Sequence, residues 1–408
     1  MNSMISLGIG KMELDWGKHN FIHDHSELFH NSNIKKIPHY YIDENDNIIT
    51  EMKEGCSSKL SQVKNRLNLL GYDYKSIENK FELEAEELNF SNIDLSFEDY
   101  ESIIKSIDVA NVDTVEIEKE YAYDGFDFGE YVSECILSIP NLKEGLISII
   151  PNEEYYFEIP KLSEFLENLD PYITLRIICE NPEYDDYELV WCFDDLISAG
   201  YTNKKEIFKG LDPNNKILIV TEGTCDSFIL KRTIYELLPD ISDFFVFIDM
   251  KDNYPFTGTG NLYNFCKGLA KISIQNKVIV IFDNDTEGIE KYNKSNGLDK
   301  PETFIIIKLP DFAEFNQFKT IGPQGISTEN VNGKAVAIEC FLDFKSLKNE
   351  PVIRWSSYNY KLCKYQGALE HKDDYVTAFK KANLTDGSYD TSKLERLVKY
   401  ICDKWINK

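Results

Sequence analysis

Between residues 216 and 310, four short apolar runs alternate with segments whose apolar residues recur at helical spacing. Runs that are apolar throughout, rather than at every second residue, are typical of parallel strands buried on both faces. The sequence therefore predicts an α/β domain in which helices cover a parallel sheet. The predicted strands are KILIVT (216–221), DFFVFID (243–249), KVIVIFD (277–283) and TFIIIKLP (303–310), and the predicted helices span 225–238, 260–273 and 285–296.

A strong turn signal, Asp-Pro-Asn-Asn at 212–215, stands immediately before this pattern. The chain has 408 residues, which is enough for two or three domains. We therefore predict an N-terminal domain over 1–210 and a C-terminal α/β domain over 211–408, with its core at 215–310. The N-terminal part mixes strand-like and helix-like pieces, including a helical pattern in the second half of 81–107, and is predicted to be α+β.

Charge is distributed unevenly along the chain. Residues 1–200 carry 15 Lys and Arg against 42 Asp and Glu, whereas residues 201–408 carry 29 against 28. An acidic surface repels a phosphate backbone at long range. We therefore expect any nucleic-acid contact to come from the C-terminal half, and the acidic half to suit a protein partner or to serve only solubility.

The composition also restricts where the protein works. The sequence has no apolar stretch long enough to span a bilayer and no basic segment followed by an apolar leader at its start. Its nine Cys are scattered without a CxxC pair, which argues against a zinc knuckle and a secreted disulfide framework. We expect a cytoplasmic protein without membrane contact, and a homodimer is the default assembly.

Three of the predicted strands end in an acidic residue. Glu222 follows the first strand, Asp249 ends the second and Asp283 ends the third. Asp226 lies one helical turn beyond Glu222, and Asp285 lies two residues beyond Asp283, so each pair can face one ion. The carboxyl ends of parallel strands meet at one edge of a sheet, which is where open α/β domains bind their ligands.

Carboxylates held close together in a partly dry site repel one another, and a bound cation relieves the repulsion. A set of oxygen ligands favours Mg²⁺ or Mn²⁺ over zinc or copper. Each acid also has a simpler explanation, because a strand end is often followed by a solvated loop and an acid in the first turn of a helix complements its dipole. The combination predicts a divalent-metal site.

A strand ending in Glu-Gly, followed by a later strand ending in Asp-x-Asp-x-x-Gly, resembles the TOPRIM fold of topoisomerases, primases and OLD-family nucleases. The segments that carry the resemblance are VTEGTCD (220–226) and IFDNDTEG (281–288), with Gly258 and Gly260 at a turn where such domains often have glycine. The resemblance covers residues 215–310 and implies a Rossmann-like TOPRIM domain.

A second acid one turn after the glutamate is similar to the pattern of OLD nucleases. On that resemblance Glu222 and Asp226 hold one metal ion, and Asp283 and Asp285 hold the other. The resemblance also implies a later acid near the metals and a basic residue near the scissile phosphate. The best match for the acid is Glu339 in KAVAIECFL, and the candidates for the basic residue are Lys372 and Lys364, for which a solvent-facing lysine is the alternative.

Both ends of the N-terminal region resemble another family. LGIGKMELDWGKHNFIHDHSELF looks like the opening, and RIICENPEYDDYELVWCFDDLISAGY like the end, of the N-terminal domain shared by prokaryotic HEPN/Toprim-associated proteins. The resemblance covers roughly residues 1–205. It implies a setting in defence against phage, and it implies no reaction for this half.

Other motifs are absent or ambiguous. His23 and His25 can ligate a metal, but they have no evident third ligand, and hydrogen-bonded structural histidines are the alternative. None of the five Arg is followed by a His at the spacing of a HEPN ribonuclease. The P-loop pattern GxxxxGK[ST] does not occur, so any ATP used by this system must bind to another protein.

Three functions compete. The first is a metal-dependent nuclease, for which the sequence does not distinguish DNA from RNA. The second is a phosphatase of the haloacid dehalogenase type with Asp283 as nucleophile, but that motif wants Thr or Val at position 287 and gives Glu222 no role. The third is a non-catalytic binding or effector-sensing module that works with a protein partner. Metal-dependent cleavage separates the first from the third.

Overall fold

The computed structural model divides the chain into two compact units, residues 1–212 and 213–408. The Asp-Pro-Asn-Asn turn forms a short 3-10 helix, Pro213–Asn215, at the start of the second unit. Among the described residues, no helix is long and apolar enough to cross a membrane. The structure describes residues 5–10, 12–17, 22–42, 48–87, 95–109, 126–127, 165–248, 258–348 and 350–408.

The described part of the N-terminal unit is built on a six-stranded sheet. Its strands are β1 (Ile5–Ile9), β2 (Met12–Gly17), β3 (Ile34–Ile42), β4 (Ile48–Lys59), β5 (Phe126–Asp127) and β6 (Glu188–Cys192). They pair in the order β3-β4-β6-β1-β2-β5, and all neighbours are antiparallel except β2 and β5. The helices are α1 (Leu60–Leu70), α2 (Ser76–Glu87), α3 (Phe97–Lys105), α4 (Pro171–Ile178), α5 (Asp194–Ser198) and α6 (Lys204–Ile207).

Periodicity explains most of these elements. Strand β1 alternates buried and half-buried residues, as expected for a strand with one face on a core. The helical pattern predicted in 81–107 is confirmed by α3. Periodicity alone does not decide whether the apolar runs ITLRIIC, SECILSIP and EGLISIIP are strands or short buried helices. ITLRIIC forms helix α4, and the other two runs lie outside the described residues.

The C-terminal unit begins with the predicted alternation of strands and helices. The strands are β7 (Ile217–Thr221), β8 (Phe245–Phe247), β9 (Lys277–Phe282), β10 (Asn284–Asp285) and β11 (Phe304–Lys308), and the helices are α7 (Thr224–Leu237), α8 (Thr259–Lys271) and α9 (Thr286–Asn296). Four strands form a wholly parallel sheet in the order β11-β9-β7-β8. The prediction of an α/β unit with a parallel sheet is therefore confirmed.

The order of the strands determines where this sheet can bind a ligand. From β7 the chain moves outwards to β8, then crosses back to β9 on the other side and continues to β11. The direction of winding therefore reverses between β7 and β9. A reversal of this kind opens a crevice at the carboxyl ends of the two strands, because the loops leave in opposite directions.

A second sheet follows in the C-terminal unit. The remaining elements are β12 (Phe318–Gly322), β13 (Gly325–Glu329), β14 (Ala335–Val336), β15 (Ile353–Asn359), β16 (Lys364–Leu369), α10 (Lys372–Lys381) and α11 (Ser392–Ile406). Four of these strands form the second sheet, in the order β13-β12-β15-β16, and the short strand β14 pairs with β10 beside the first sheet.

Asp15 on β2 binds both histidines that the sequence analysis weighs as metal ligands. His23 Nδ1 and His25 Nε2 each lie 2.7 Å from the same Asp15 oxygen, Oδ2. The histidines do not lie on a strand, and His25 instead precedes the 3-10 helix Ser26–Leu28. Burial opposes ionisation of Asp15, but the hydrogen bonds and charges of His25 and His23 outweigh it and lower the pKa of Asp15. The arrangement is that of hydrogen-bonded structural histidines.

Replacing Asp15 is expected to destabilise the protein. Asp15→Asn removes a charged acceptor from two ring donors and should lower the free energy of unfolding at pH 7 by about 1–3 kcal/mol. Since the folded pKa of Asp15 is lowered, its contribution is complete above its unfolded pKa near pH 4 and is lost as the pH falls further. Urea unfolding of both proteins at pH 7 and pH 3.5 measures the difference.

The matched control is Asp186→Asn, which removes an exposed partner of Lys59 and should leave the unfolding midpoint almost unchanged. Equal midpoints for the wild type and Asp15→Asn at pH 7 would show that the Asp15 contacts contribute nothing to stability.

Candidate metal centre

Glu222 connects the ends of the two strands that flank the crevice. It follows β7, and its Oε1 accepts a hydrogen bond of 3.0 Å from the backbone N–H of Asp283, which follows β9. Its own carbonyl accepts a 3.2 Å bond from the N–H of Gly258, whose φ of 88° is a conformation that favours glycine. Glu222 is therefore held between both strands and the loop that begins α8.

Asp226 lies in the first turn of α7. Its Oδ2 accepts a 2.9 Å hydrogen bond from the backbone N–H of Gly223, the residue that caps the helix. This contact satisfies a donor that the helix itself cannot pair. Asp226 lies in the first turn, as the dipole explanation requires, and this contact directs its carboxyl group towards the end of β7.

Asp285 is itself the residue that caps helix α9. Its Oδ1 accepts a 2.7 Å hydrogen bond from the N–H of Gly288. A Cβ at Gly288 would lie 2.2 Å from the carbonyl oxygen of Asp283, which no side chain tolerates. The glycine of the Asp-x-Asp-x-x-Gly motif is therefore required by a close approach of two backbones, and this approach fixes the spacing of Asp283 and Asp285.

Gln366 is a site residue that the sequence analysis misses. From strand β16 its Nε2 donates a 2.6 Å hydrogen bond to Asp285 Oδ2, and its Oε1 accepts a 2.9 Å bond from the N–H of Thr286. The second oxygen of Asp285 is therefore orientated by a residue 81 positions away in sequence. No local motif marks a lone glutamine on a later strand, so only the pairing of strands could reveal it.

Burial is the largest cause of the pKa shifts at this edge of the sheet. It raises the pKa of Glu222 to about 8 and that of Asp226 to about 7, and it also raises the pKa of Asp283 and Asp285. Negative neighbours add to the effect, since Asp226, Glu222 and Asp285 all raise the pKa of Asp283. The four carboxyl groups are therefore near enough to repel one another when ionised.

Two of the candidates from later in the sequence, Glu339 and Lys372, act electrostatically on the carboxylate cluster. Glu339 is buried in the 3-10 helix Ile338–Phe341, just after β14, and its charge raises the pKa of Asp226 and Asp283. The exposed Lys372, at the start of α10, lowers the pKa of Asp226. The charge of Lys364 instead lowers the pKa of Asp311. The remaining acid named from the sequence, Asp249, lies outside the described residues.

The donor chemistry of this cluster fits a hard divalent cation. Its ligating atoms are carboxylate oxygens, which suit Mg²⁺ and Mn²⁺. Within the described ranges, however, no group of three or more His, Cys, Asp or Glu side chains is arranged so that it could hold a metal ion. Glu222, Asp226 and Asp285 each use an oxygen to accept a hydrogen bond, so a cation would bind through their remaining lone pairs or after a side-chain rotation.

Stability in the absence of metal is expected to fall as the pH rises from about 5 to about 8. The folded pKa values of Glu222 and Asp226 are raised, so their contribution is full below the unfolded values and is lost as the pH passes through the folded ones. Adding Mn²⁺ should raise the unfolding temperature most at pH 8, where a cation replaces the protons. Scanning calorimetry in EDTA and in Mn²⁺ measures both effects.

Glu222→Gln should flatten the pH dependence in EDTA, because one ionising group is removed. Asp299→Asn, an exposed acid of the same unit, is the matched control and should leave it unchanged. An unfolding temperature that does not respond to Mn²⁺ at pH 8 would count against cation binding.

A comparison with known families identifies the N-terminal half. The family model HEPN/Toprim N-terminal domain 1 matches residues 1–215, more than half of the chain. This confirms the resemblance inferred from the opening and closing segments of that region. No curated protein and no solved structure shows significant similarity to the chain. The chain therefore belongs to the HEPN/Toprim N-terminal domain 1 family.

Proposed function

We propose that the C-terminal unit is a TOPRIM-type nuclease that hydrolyses phosphodiester bonds with divalent metal ions. One observation carries the proposal: the half-buried carboxyl groups of Glu222, Asp226, Asp283 and Asp285 converge where the winding of the parallel sheet reverses. Mutually repelling carboxylates at the ligand-binding edge of a sheet lower the stability of the fold, and a bound cation would relieve the repulsion.

In this proposal Glu222 and Asp226 hold one ion, and Asp283 and Asp285 hold the other. Bound divalent ions would supply activation of water and neutralisation of charge on the phosphate. Gly223, Gly288 and Gln366 keep the carboxylates in position through their hydrogen bonds. Glu339 adds negative charge beside Asp226, and Lys372, whose charge lowers the pKa of Asp226, would meet a phosphate oxygen.

The family supports the proposal from the other half of the chain. Its name associates this N-terminal domain with HEPN or Toprim. The sequence lacks the Arg and His spacing of a HEPN ribonuclease, so Toprim is the matching alternative. We place the protein in an anti-phage defence system of the prokaryotic cytoplasm on the same resemblance, with a protein partner or trigger that restrains cleavage.

A non-catalytic module is the second candidate. The observation that favours it is that acids of the cluster have a structural role, since Asp226 accepts a hydrogen bond from the N–H of Gly223, the cap of α7, and Asp285 itself caps α9. Acids that serve only as caps would need no cation. The two functions differ in whether neutralising the cluster abolishes an activity or leaves the behaviour of the protein unchanged.

The test is cleavage of plasmid DNA, single-stranded DNA and total RNA by the purified chain in Mg²⁺, Mn²⁺ or EDTA. The double variant Glu222→Gln/Asp283→Asn should lose at least about a hundredfold in rate, since even groups behind metal ligands contribute 10–100-fold. The same variant should unfold at a higher temperature than the wild type in EDTA, because repulsion between carboxylates is relieved.

This opposite effect on activity and stability separates loss of function from loss of fold. Asp299→Asn is the control and should cut like the wild type. Equal cleavage by the double variant would refute the assigned site. If no substrate is cut and calorimetric titration detects no Mn²⁺ binding, the non-catalytic module is the better description.

A further inference from the structure

The hairpin formed by β15 and β16 differs in charge from the rest of this acidic chain. Residues 351–369 contain Arg354, Lys361 and Lys364 and no acidic residue. Arg354 and Lys361 are exposed and have ion pairs with Glu370 and Glu290. Surface pairs of this kind are weak, so a phosphate can replace the carboxylate partner.

Four aromatic rings form a continuous row along this hairpin. Trp355 lies 6.1 Å from Tyr365, Tyr365 lies 5.0 Å from Tyr358, and Tyr358 lies 5.2 Å from Tyr360, measured between ring centroids. The three tyrosines are 45%, 39% and 85% exposed in that order. Exposed aromatic rings at this spacing are costly to leave in water unless a partner covers them.

The row depends on a bulge and on two glycines. Pairing shifts between Trp355 and Ser357, and this shift places Trp355, Tyr358 and Tyr365 on one face of the sheet. Trp355 lies over Gly367 and Gly322, since a Cβ on either would come within 2.8 Å of its indole ring. The ring therefore lies against bare backbone, which holds it beside the tyrosines.

The row and the carboxylate cluster lie on opposite faces of β16 and are linked through that strand. Gln366, the neighbour of Tyr365 on β16, points to the opposite face and binds Asp285. Lys334 also links the aromatic row to the carboxylate cluster. Its backbone pairs with Asp285, and its Nζ lies 5.8 Å from the ring centroid of Trp355. A chain lying on the row would thus pass the edge of β16 to reach the carboxylates.

We propose that this aromatic row is a stacking platform for the unpaired bases of single-stranded nucleic acid, which it delivers to the carboxylate cluster. The proposal rests on the nuclease function and names its substrate class. Aromatic rings stack on any base whose face is free, and neighbouring cations hold the phosphates. In a duplex the base faces are already stacked on one another, so the platform selects single strands.

Binding in EDTA tests the platform without any chemistry. Fluorescence anisotropy with labelled 20-nucleotide oligo(dT) and oligo(U), and with a 20-base-pair duplex, should show a preference for the single strands. Tyr358→Leu/Tyr365→Leu keeps apolar side chains on the strands but removes stacking, and should weaken single-strand binding by about tenfold or more. Tyr358→Phe/Tyr365→Phe, which retains the rings, should bind within about twofold of the wild type.

Tyr235→Leu is the matched control, because Tyr235 is similarly exposed on α7 in the same unit and should not affect binding. Equal binding of duplex and single strand by the wild type would overturn the proposal, as would unchanged binding by the leucine variant. A leucine variant that binds normally but sediments as a smaller species would identify the row as a contact between copies of the chain.

The outcome is independent of the nuclease assignment. Tyrosine-dependent binding in EDTA, with neither cleavage nor calorimetric binding of Mn²⁺, would support the platform and make the non-catalytic module the better description of the carboxylate cluster. Cleavage that requires Glu222, together with normal binding by the leucine variant, would support the nuclease and refute the platform.

Discussion

Repulsion between half-buried carboxyl groups is the constraint on which the organisation of the C-terminal unit depends. Glu222 and Asp283 follow adjacent parallel strands. The charge of Glu222 raises the pKa of Asp283, and the charges of Asp226 and Asp285 raise the pKa of both. Hydrogen bonds from backbone N–H groups to Glu222, Asp226 and Asp285 partly offset this repulsion, because they stabilise the ionised carboxylates. A fold that maintains such an arrangement gives up stability for a function, as strained and charged sites commonly do.

The second sheet supports the first in two ways. Strand β14 pairs with β10 and brings Glu339 close to Asp226 and Asp283, while β16 supplies the glutamine that orientates Asp285. The segment after residue 310 is therefore part of the same site and not a separate appendage. It also carries the exposed aromatic row, so positioning of the carboxylates and the proposed capture of substrate involve the same two strands.

The N-terminal unit follows a different physical scheme. Its acids outnumber its bases almost three to one, yet Asp15 is placed inside and is paired with two histidines. There the buried carboxylate has partners and its pKa is lowered, whereas the acids of the C-terminal site have like-charged neighbours and raised pKa values. The contrast distinguishes a carboxylate that stabilises a fold from a cluster whose members repel one another when ionised.

The sequence by itself determined the parallel sheet of the C-terminal unit, its helices and the N-terminal family, because apolar runs and motif glycines are local signals. It also indicated Glu222, Asp226, Asp283 and Asp285, since residues that follow adjacent parallel strands must meet at one edge. Only the tertiary structure decided the contribution of Gln366, the partner of His23 and His25, and the aromatic row. These depend on strand pairing between distant segments and on a bulge that shifts which side chains share a face, and neither leaves a periodic trace in the sequence.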